Sequence, residues 1–217
     1  MVAAIVGSEQ PPAFTAWLPY GVVVQNNSSQ SIAAICVVWS LTNGTGRSGT
    51  WSGCEDGFNR PLHQVAVGQS VITTPDGILQ RAIDLRPFQR ADSLKALSNL
   101  QRAVSIVVSL DSVVFASGQF VGSDTIGEYE QFQAKLTVPR NIAATLLEKK
   151  NTESISEIVA WLQSLDSQLR QSLDDSTQHQ SGVTARGMLS VYQSKGEAGL
   201  YQMAETILQQ PVFPLHR

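Results

Sequence analysis

The chain has 217 residues, enough for one large domain or two small ones, and only 15% of them are charged, with a net charge of −3. That balance excludes the strong basic excess of a nucleic-acid binder, and polyanionic partners with it. No apolar run reaches the roughly 18 to 20 residues of a membrane span, so no transmembrane segment is expected.

Met1 to Val6 is shorter than the apolar core of about 7 to 15 residues in a signal peptide. The sequence therefore fits a cytoplasmic protein, or a periplasmic or secreted one whose export signal has been removed. Its low charge and its many Ser and Gln residues favour export.

Met1 to Trp17, broken at Pro11-Pro12, reads as an irregular lead-in over a sheet edge. Leu18 to Leu41 reads as two β-forming strands joined by a polar turn at Asn26 to Gln30, where Asn and Ser side chains bond their own backbone. In the second strand Ala33, Ile35, Val37, Trp39 and Leu41 share one face. Ile32, Ala34, Cys36 and Val38 share the other, so both faces should be covered, as in the central strand of a sandwich. Trp39 is the leading core candidate. The turn Thr42 to Arg47 sends the chain back through Ser48 to Cys54 as the second arm of a hairpin. His63 to Thr74 alternates about Gly68 and adds one or two strands before Pro75. Ala91 to Arg102, with Leu94, Leu97 and Leu100 three apart, reads as a short helix laid on this β region.

Ala103 to Asp124 divides the chain. Val104, Ile106, Val108 and Leu110 fall on one face of an extended strand and are expected to face the core. Beyond Asp111 the apolar parity changes to Val113 and Phe115, which calls for a bulge at Asp111 and Ser112. A two-residue turn at Ser117-Gly118 would set Phe115 opposite Phe120 and Val114 opposite Val121. Thr125 and Glu128 then stand in capping-box spacing, and Asp124 adds a carboxylate at the positive end of the first long helix.

That helix should run from Ile126, break or kink at Pro139 and end near Lys149-Lys150. A second capping box, Ser154 with Glu157, opens a helix carrying Ile155, Ile158, Leu162, Leu165 and Leu169. Asp174 to Gly182 reads as a polar linker, followed by helices over Val183 to Lys195 and Gly196 to Gln209. The domain reading is a β unit over residues 1–125, with a helical insertion near 91–102. A helical region over 126–217 is expected to pack on or beside it.

Cys36 and Cys54 are the only cysteines, nine residues either side of Thr45, and a hairpin centred there brings them nearly opposite. They are either a disulfide of an oxidising compartment or two unrelated thiols with Cys36 filling the core. Trp17, Tyr20, Trp51 and Phe58 would form a platform for a sugar or peptide if they cluster outside the sheet, and otherwise pack at its edges. Asp111, at the bulge, is expected to bond free backbone donors. With Gly118, Asp124 and Thr125 it makes a structural junction. The sequons at Asn26, Asn27 and Asn43 fit surface turns. No metal-ligand spacing, nucleophile elbow, phosphate-binding loop or paired-carboxylate signature is present, so no catalytic, cofactor-binding or metal residue is assigned.

The runs GVVVQNNSSQSIAAICVVWSL, VAVGQSVITTP and IVVSLDSVVFASGQFVGSDTIGEYEQF together resemble a group of uncharacterised bacterial Ig-like-domain proteins, over roughly Pro19 to Phe132. The most distinctive part is SLDSVVFASGQFVGSD, an SLDxVVFxxGxFVGxD-type segment in which Ser123 stands where proline would be expected. The resemblance implies an α+β fold, an antiparallel Ig-like β-sandwich followed by a C-terminal helical region, and carries no catalytic residue. The expected function is noncatalytic: a structural or interaction protein that contacts an unidentified protein partner or itself. The competing expectation is a carbohydrate- or peptide-binding module using the four aromatics.

Overall fold

The computed structural model describes residues 17–58, 64–75, 77–78, 91–168 and 175–217. The expected lead-in before Trp17 and the position of Leu169 lie outside them. The architecture is α+β, with antiparallel sheets followed by helices. The chain divides into two compact units, one reaching to Ile126 and regaining Pro214–Arg217, the other Gly127–Phe213.

The first unit is built around β2 (Ile32–Asn43), whose residues from Ile32 to Trp39 are all buried. Apolar side chains on both faces of one strand require cover on both sides, and that is the strand's environment. β3 (Ser48–Asp56) returns antiparallel beside it. The reversal is set by Asn43, whose Oδ1 accepts from the Thr45 N–H at 3.0 Å, the Thr45 hydroxyl at 2.7 Å and the Arg47 N–H at 3.0 Å. This Asx geometry fixes the register that sets Trp39 opposite Trp51. On the other side of β2 lies β6 (Ala103–Phe115), and β7 (Phe120–Gly122) completes the order β3-β2-β6-β7.

A second sheet has the order β1-β4-β5, from β1 (Val22–Gln25), β4 (Ser70–Thr74) and β5 (Gly77–Ile78). Val22, Val24 and Val71 of this sheet share a core cluster with Ile35, Val37 and Trp39 of the first. β1 therefore pairs with β4 and not with β2 as its sequence neighbour. The polar turn after β1 is a crossing between sheets, held by Asn26. Its buried amide donates to the carbonyls of Gln30 at 2.8 Å and Val65 at 2.9 Å, while Oδ1 accepts from the Ser28 N–H at 3.1 Å and hydroxyl at 2.7 Å. An amide so occupied is closed to glycosylation, which corrects the surface reading of that sequon. Helix α1 (Ala91–Arg102) leads directly into β6, and its Leu100 is buried against Trp17.

The second unit consists of α2 (Glu128–Lys149), α3 (Ile155–Gln168) and α4 (Ser176–Gln209). Its core is formed by Leu146, Ile158, Leu162, Met188 and Leu200, each fully buried. The Ser154–Glu157 box closes as the spacing requires: the Ser154 N–H and hydroxyl both donate to the Glu157 carboxylate, at 2.8 and 2.7 Å. These donors hold the Glu157 carboxyl below its ordinary range.

Two helix expectations change. α2 runs through Pro139 without ending, with Val138, Ile142 and Ala143 seated in the core on either side of the missing donor. The polar stretch before Val183 is helical from Ser176, because the Asp175 side chain accepts the Gln178 N–H at 2.9 Å and caps the helix. α4 then kinks at Gly196, whose φ of 67° lies in the left-handed region. Its last turn is closed from α2: the Arg140 guanidinium donates to the carbonyls of Ile207 at 3.2 Å, Leu208 at 3.1 Å and Gln210 at 2.8 Å. Among the described residues no helix is long and apolar enough to cross a membrane.

Candidate functional site

β6 is the feature of the first unit in which sequence and burial disagree most. Along its inner edge it pairs with β2 from Ala103 to Phe115, with Ile106 opposite Leu41 and Val108 opposite Trp39. On its outer edge β7 meets only Ser112, Val113 and Val114. The stretch expected to face the core is instead largely open. Val104 is 70% exposed, Val107 62%, Leu110 53% and Val108 37%, with only Ile106 half-buried. Among the described residues, Ile106, Val113 and Phe115 of β6 pack against the cluster around Trp39 and Val37, whereas Val104, Val108 and Leu110 are not part of it. Alternation says which residues share a face, but only tertiary packing decides whether that face is covered.

At Asp111 the ladder skips a residue, Leu110 pairing with Val37 and Ser112 with Cys36. This bulge turns the end of β6 towards a tightly built corner. The Asp111 carboxylate, 3% exposed, accepts the Thr125 hydroxyl at 2.5 Å and the Thr125 N–H at 3.1 and 3.2 Å, while the Asp111 carbonyl accepts the Ser123 N–H at 2.8 Å. Thr125 is thus engaged with the bulge and caps no helix. α2 begins two residues later than expected, at Glu128, with Gly127 as its cap and no side-chain capping bond. The capping-box spacing at Thr125 and Glu128 is present, but Gly127, at φ 71°, is the residue that opens the helix, and it leaves Thr125 outside it with its hydroxyl donating to Asp111.

The hairpin differs from expectation by one register step. Val114 lies opposite Phe120 and Val113 opposite Val121, and the Phe115 N–H donates to the Gln119 carbonyl at 2.9 Å. The loop is therefore the three residues Ala116, Ser117 and Gly118, with Gly118 at φ 95° in the position where such loops need glycine. Against this turn lies the C-terminal tail: the His216 N–H donates to the Gly118 carbonyl at 2.9 Å and the Phe120 N–H to the His216 carbonyl at 2.7 Å. A Cβ on Gly118 would run into the Pro214 carbonyl. Arg217 closes the corner on Asp124 at 2.7 Å and lies over the Phe120 ring at 5.8 Å. No periodicity in the last six residues announces this docking, and the sequence reading gives them to the helical region.

The remaining candidates fall in two places. Cys36 and Cys54 face each other on β2 and β3, Cα atoms 4.2 Å apart, and are joined as a disulfide. Trp17, Tyr20 and Trp51 pack in one cluster with Leu100, and Phe58 is buried outside it. The indole N–H of Trp51 donates to the Pro75 carbonyl at 2.8 Å and that of Trp39 to the Tyr20 carbonyl at 2.9 Å. Of the four candidate aromatics, Trp17 and Phe58 therefore present almost no ring surface to solvent. In the second unit a polar cleft of about 480 Å³ lies between Glu130, Gln133 and Thr137 of α2 and Asp175, Ser176 and Thr177. Those polar lining groups are exposed or half-buried.

Comparison with protein-family models, curated proteins and solved structures finds no match to this chain. β6 and the corner at its end are the features of the molecule that bear on function.

Proposed function

We propose that the chain is a noncatalytic interaction protein of an oxidising compartment, in which an Ig-like β-sandwich displays β6 to a protein partner. The observation that carries this reading is the apolar stretch from Val104 to Leu110, exposed on both faces of a strand held rigidly by β2. Uncharged strand surface left open in this way is costly unless something covers it. The compartment is inferred from the Cys36–Cys54 disulfide, since such bridges persist where thiols are not kept reduced. The Ig-like form is supported by two antiparallel sheets sharing a core around Trp39.

The test is a photo-crosslinking side chain at Val107 in the full chain, produced in its own cells, with the same group at Thr50 on β3 as control. A discrete covalent adduct from position 107 and none from 50 is expected. Equal diffuse labelling from both would count against the reading. Non-reducing mass measurement of the native protein should find it lighter by two hydrogens than the reduced chain.

A further inference from the structure

Resting on that reading of β6, we propose that its partner is a second copy of this chain, the two β6 strands pairing antiparallel across a two-fold axis at Val107. Among the described residues no strand lies along the outer edge from Ala103 to Leu110, because β7 reaches no further than Ser112. An edge strand directs alternate N–H and C=O groups away from its single neighbour, and natural edges are usually guarded by a charge, a proline or a bulge. The segment AVSIVVSL holds no charged residue and no proline, and its bulge comes only at Asp111. The strand's own sequence supplies no guard over those eight residues.

The segment is also complementary to its own reverse. With Val107 on the axis, Val104 lies opposite Leu110, Ser105 opposite Ser109 and Ile106 opposite Val108. From Val104 to Leu110 every apolar residue meets an apolar residue and every serine a serine, on both faces, and Ala103 falls opposite Asp111 at the bulge. No neighbouring register does this: moving the axis half a residue towards Leu110 sets Ser105 against Leu110 and Ile106 against Ser109. Cross-strand apolar and hydroxyl pairs of this kind are the unit of sheet stabilisation, and pairing through one strand used twice is the isologous contact of a closed dimer. The paired stretch from Val104 to Leu110 carries no charged residue, so no like charges meet across the axis. The result is one sheet continuous across the axis, with β3 of each copy at its flanks and each β7 on the same edge of β6 as the partner's strand.

The experiment is sedimentation velocity of the full chain over a range of concentrations, with Val107→Lys as the variant. Val107 is 62% exposed, so lysine there leaves the monomer fold intact, which circular dichroism and the melting temperature verify. In the dimer it would place two ammonium groups opposite each other and raise the dissociation constant more than about tenfold. A reversible monomer–dimer equilibrium that Val107→Lys abolishes is the expected result. A wild-type chain that stays monomeric to its solubility limit, or a dimer unmoved by Val107→Lys, overturns the proposal. If the chain is monomeric while the photo-crosslinker at Val107 still captures a discrete different protein, self-pairing falls and the interaction reading stands. If neither occurs, both fall.

Discussion

Thr125→Ala is the perturbation whose cost can be worked most directly from the corner at the end of β6. The substitution removes one donor, the hydroxyl that lies 2.5 Å from the Asp111 carboxylate, and leaves the Thr125 N–H in place. Asp111 is 3% exposed, so water does not freely replace what is lost. A hydrogen bond to a charged group contributes about 1.5 to 3 kcal/mol, and we expect a loss in that range. At about 2 to 4 °C per kcal/mol for a chain of this size, the melting temperature should fall by about 3 to 12 °C. Because the chain has two units, the assay should follow the first one specifically, through the near-ultraviolet signal of Trp39 and Trp51 during thermal unfolding in a Trp161→Phe background, which removes the second unit's tryptophan. A change within about 0.5 kcal/mol, the range of an ordinary surface substitution, would refute the claim that this bond holds the corner.

Three further outcomes follow from particular groups. Glu157, held below its ordinary value by Ser154, stabilises the start of α3 above the unfolded carboxylate pKa and loses that contribution as pH falls through the lower folded one. Amide exchange at the start of α3 should therefore quicken on acidification in the native chain and lose that dependence in Glu157→Gln, and identical pH profiles would contradict it. The Ser112 hydroxyl is buried and has no hydrogen-bond partner among the described residues, so Ser112→Ala should leave stability unchanged or raise it in chemical denaturation. A loss above about 1 kcal/mol would mean that the hydroxyl is satisfied after all. Gly118→Ala combines a φ of 95° with a collision at the Pro214 carbonyl, and should cost more than about 1 kcal/mol and expose the His216 amide to exchange. Full protection of that amide in the variant would show that the tail is held elsewhere.

Much of the fold could be read from pattern alone. Apolar residues on both faces of Ile32–Trp39 required a covered central strand, and the equal arms about Thr45 set Cys36 opposite Cys54. The parity change after Leu110 located the bulge, since a strand cannot exchange faces without one. What the pattern left open was whatever depends on distant chain. Asn26 to Gln30 has the composition of a hairpin turn, and only the Val65 carbonyl and β4 decide that it crosses between sheets. Thr125 satisfies the spacing of a cap, but Asp111, fourteen residues earlier, takes its hydroxyl. Ser117-Gly118 satisfies a two-residue turn, while the positive φ of Gly118 serves a three-residue loop equally well. Pro139 and the polar start of α4 look like breaks locally, and are overridden by core contacts and by the Asp175 cap. The open face of β6 is the same kind of miss. Its alternation was legible, and its lack of cover was not.

The central claim is that the outer edge of β6 is covered in the working protein. Amide hydrogen exchange of Val104 to Leu110, measured in the full chain across a dilution series, tests it most directly. The outward amides should be protected at high concentration and exchange fast on dilution, while those facing β2 stay protected throughout. Outward amides that exchange fast at every concentration, and stay fast when the native cell extract is added, would contradict it.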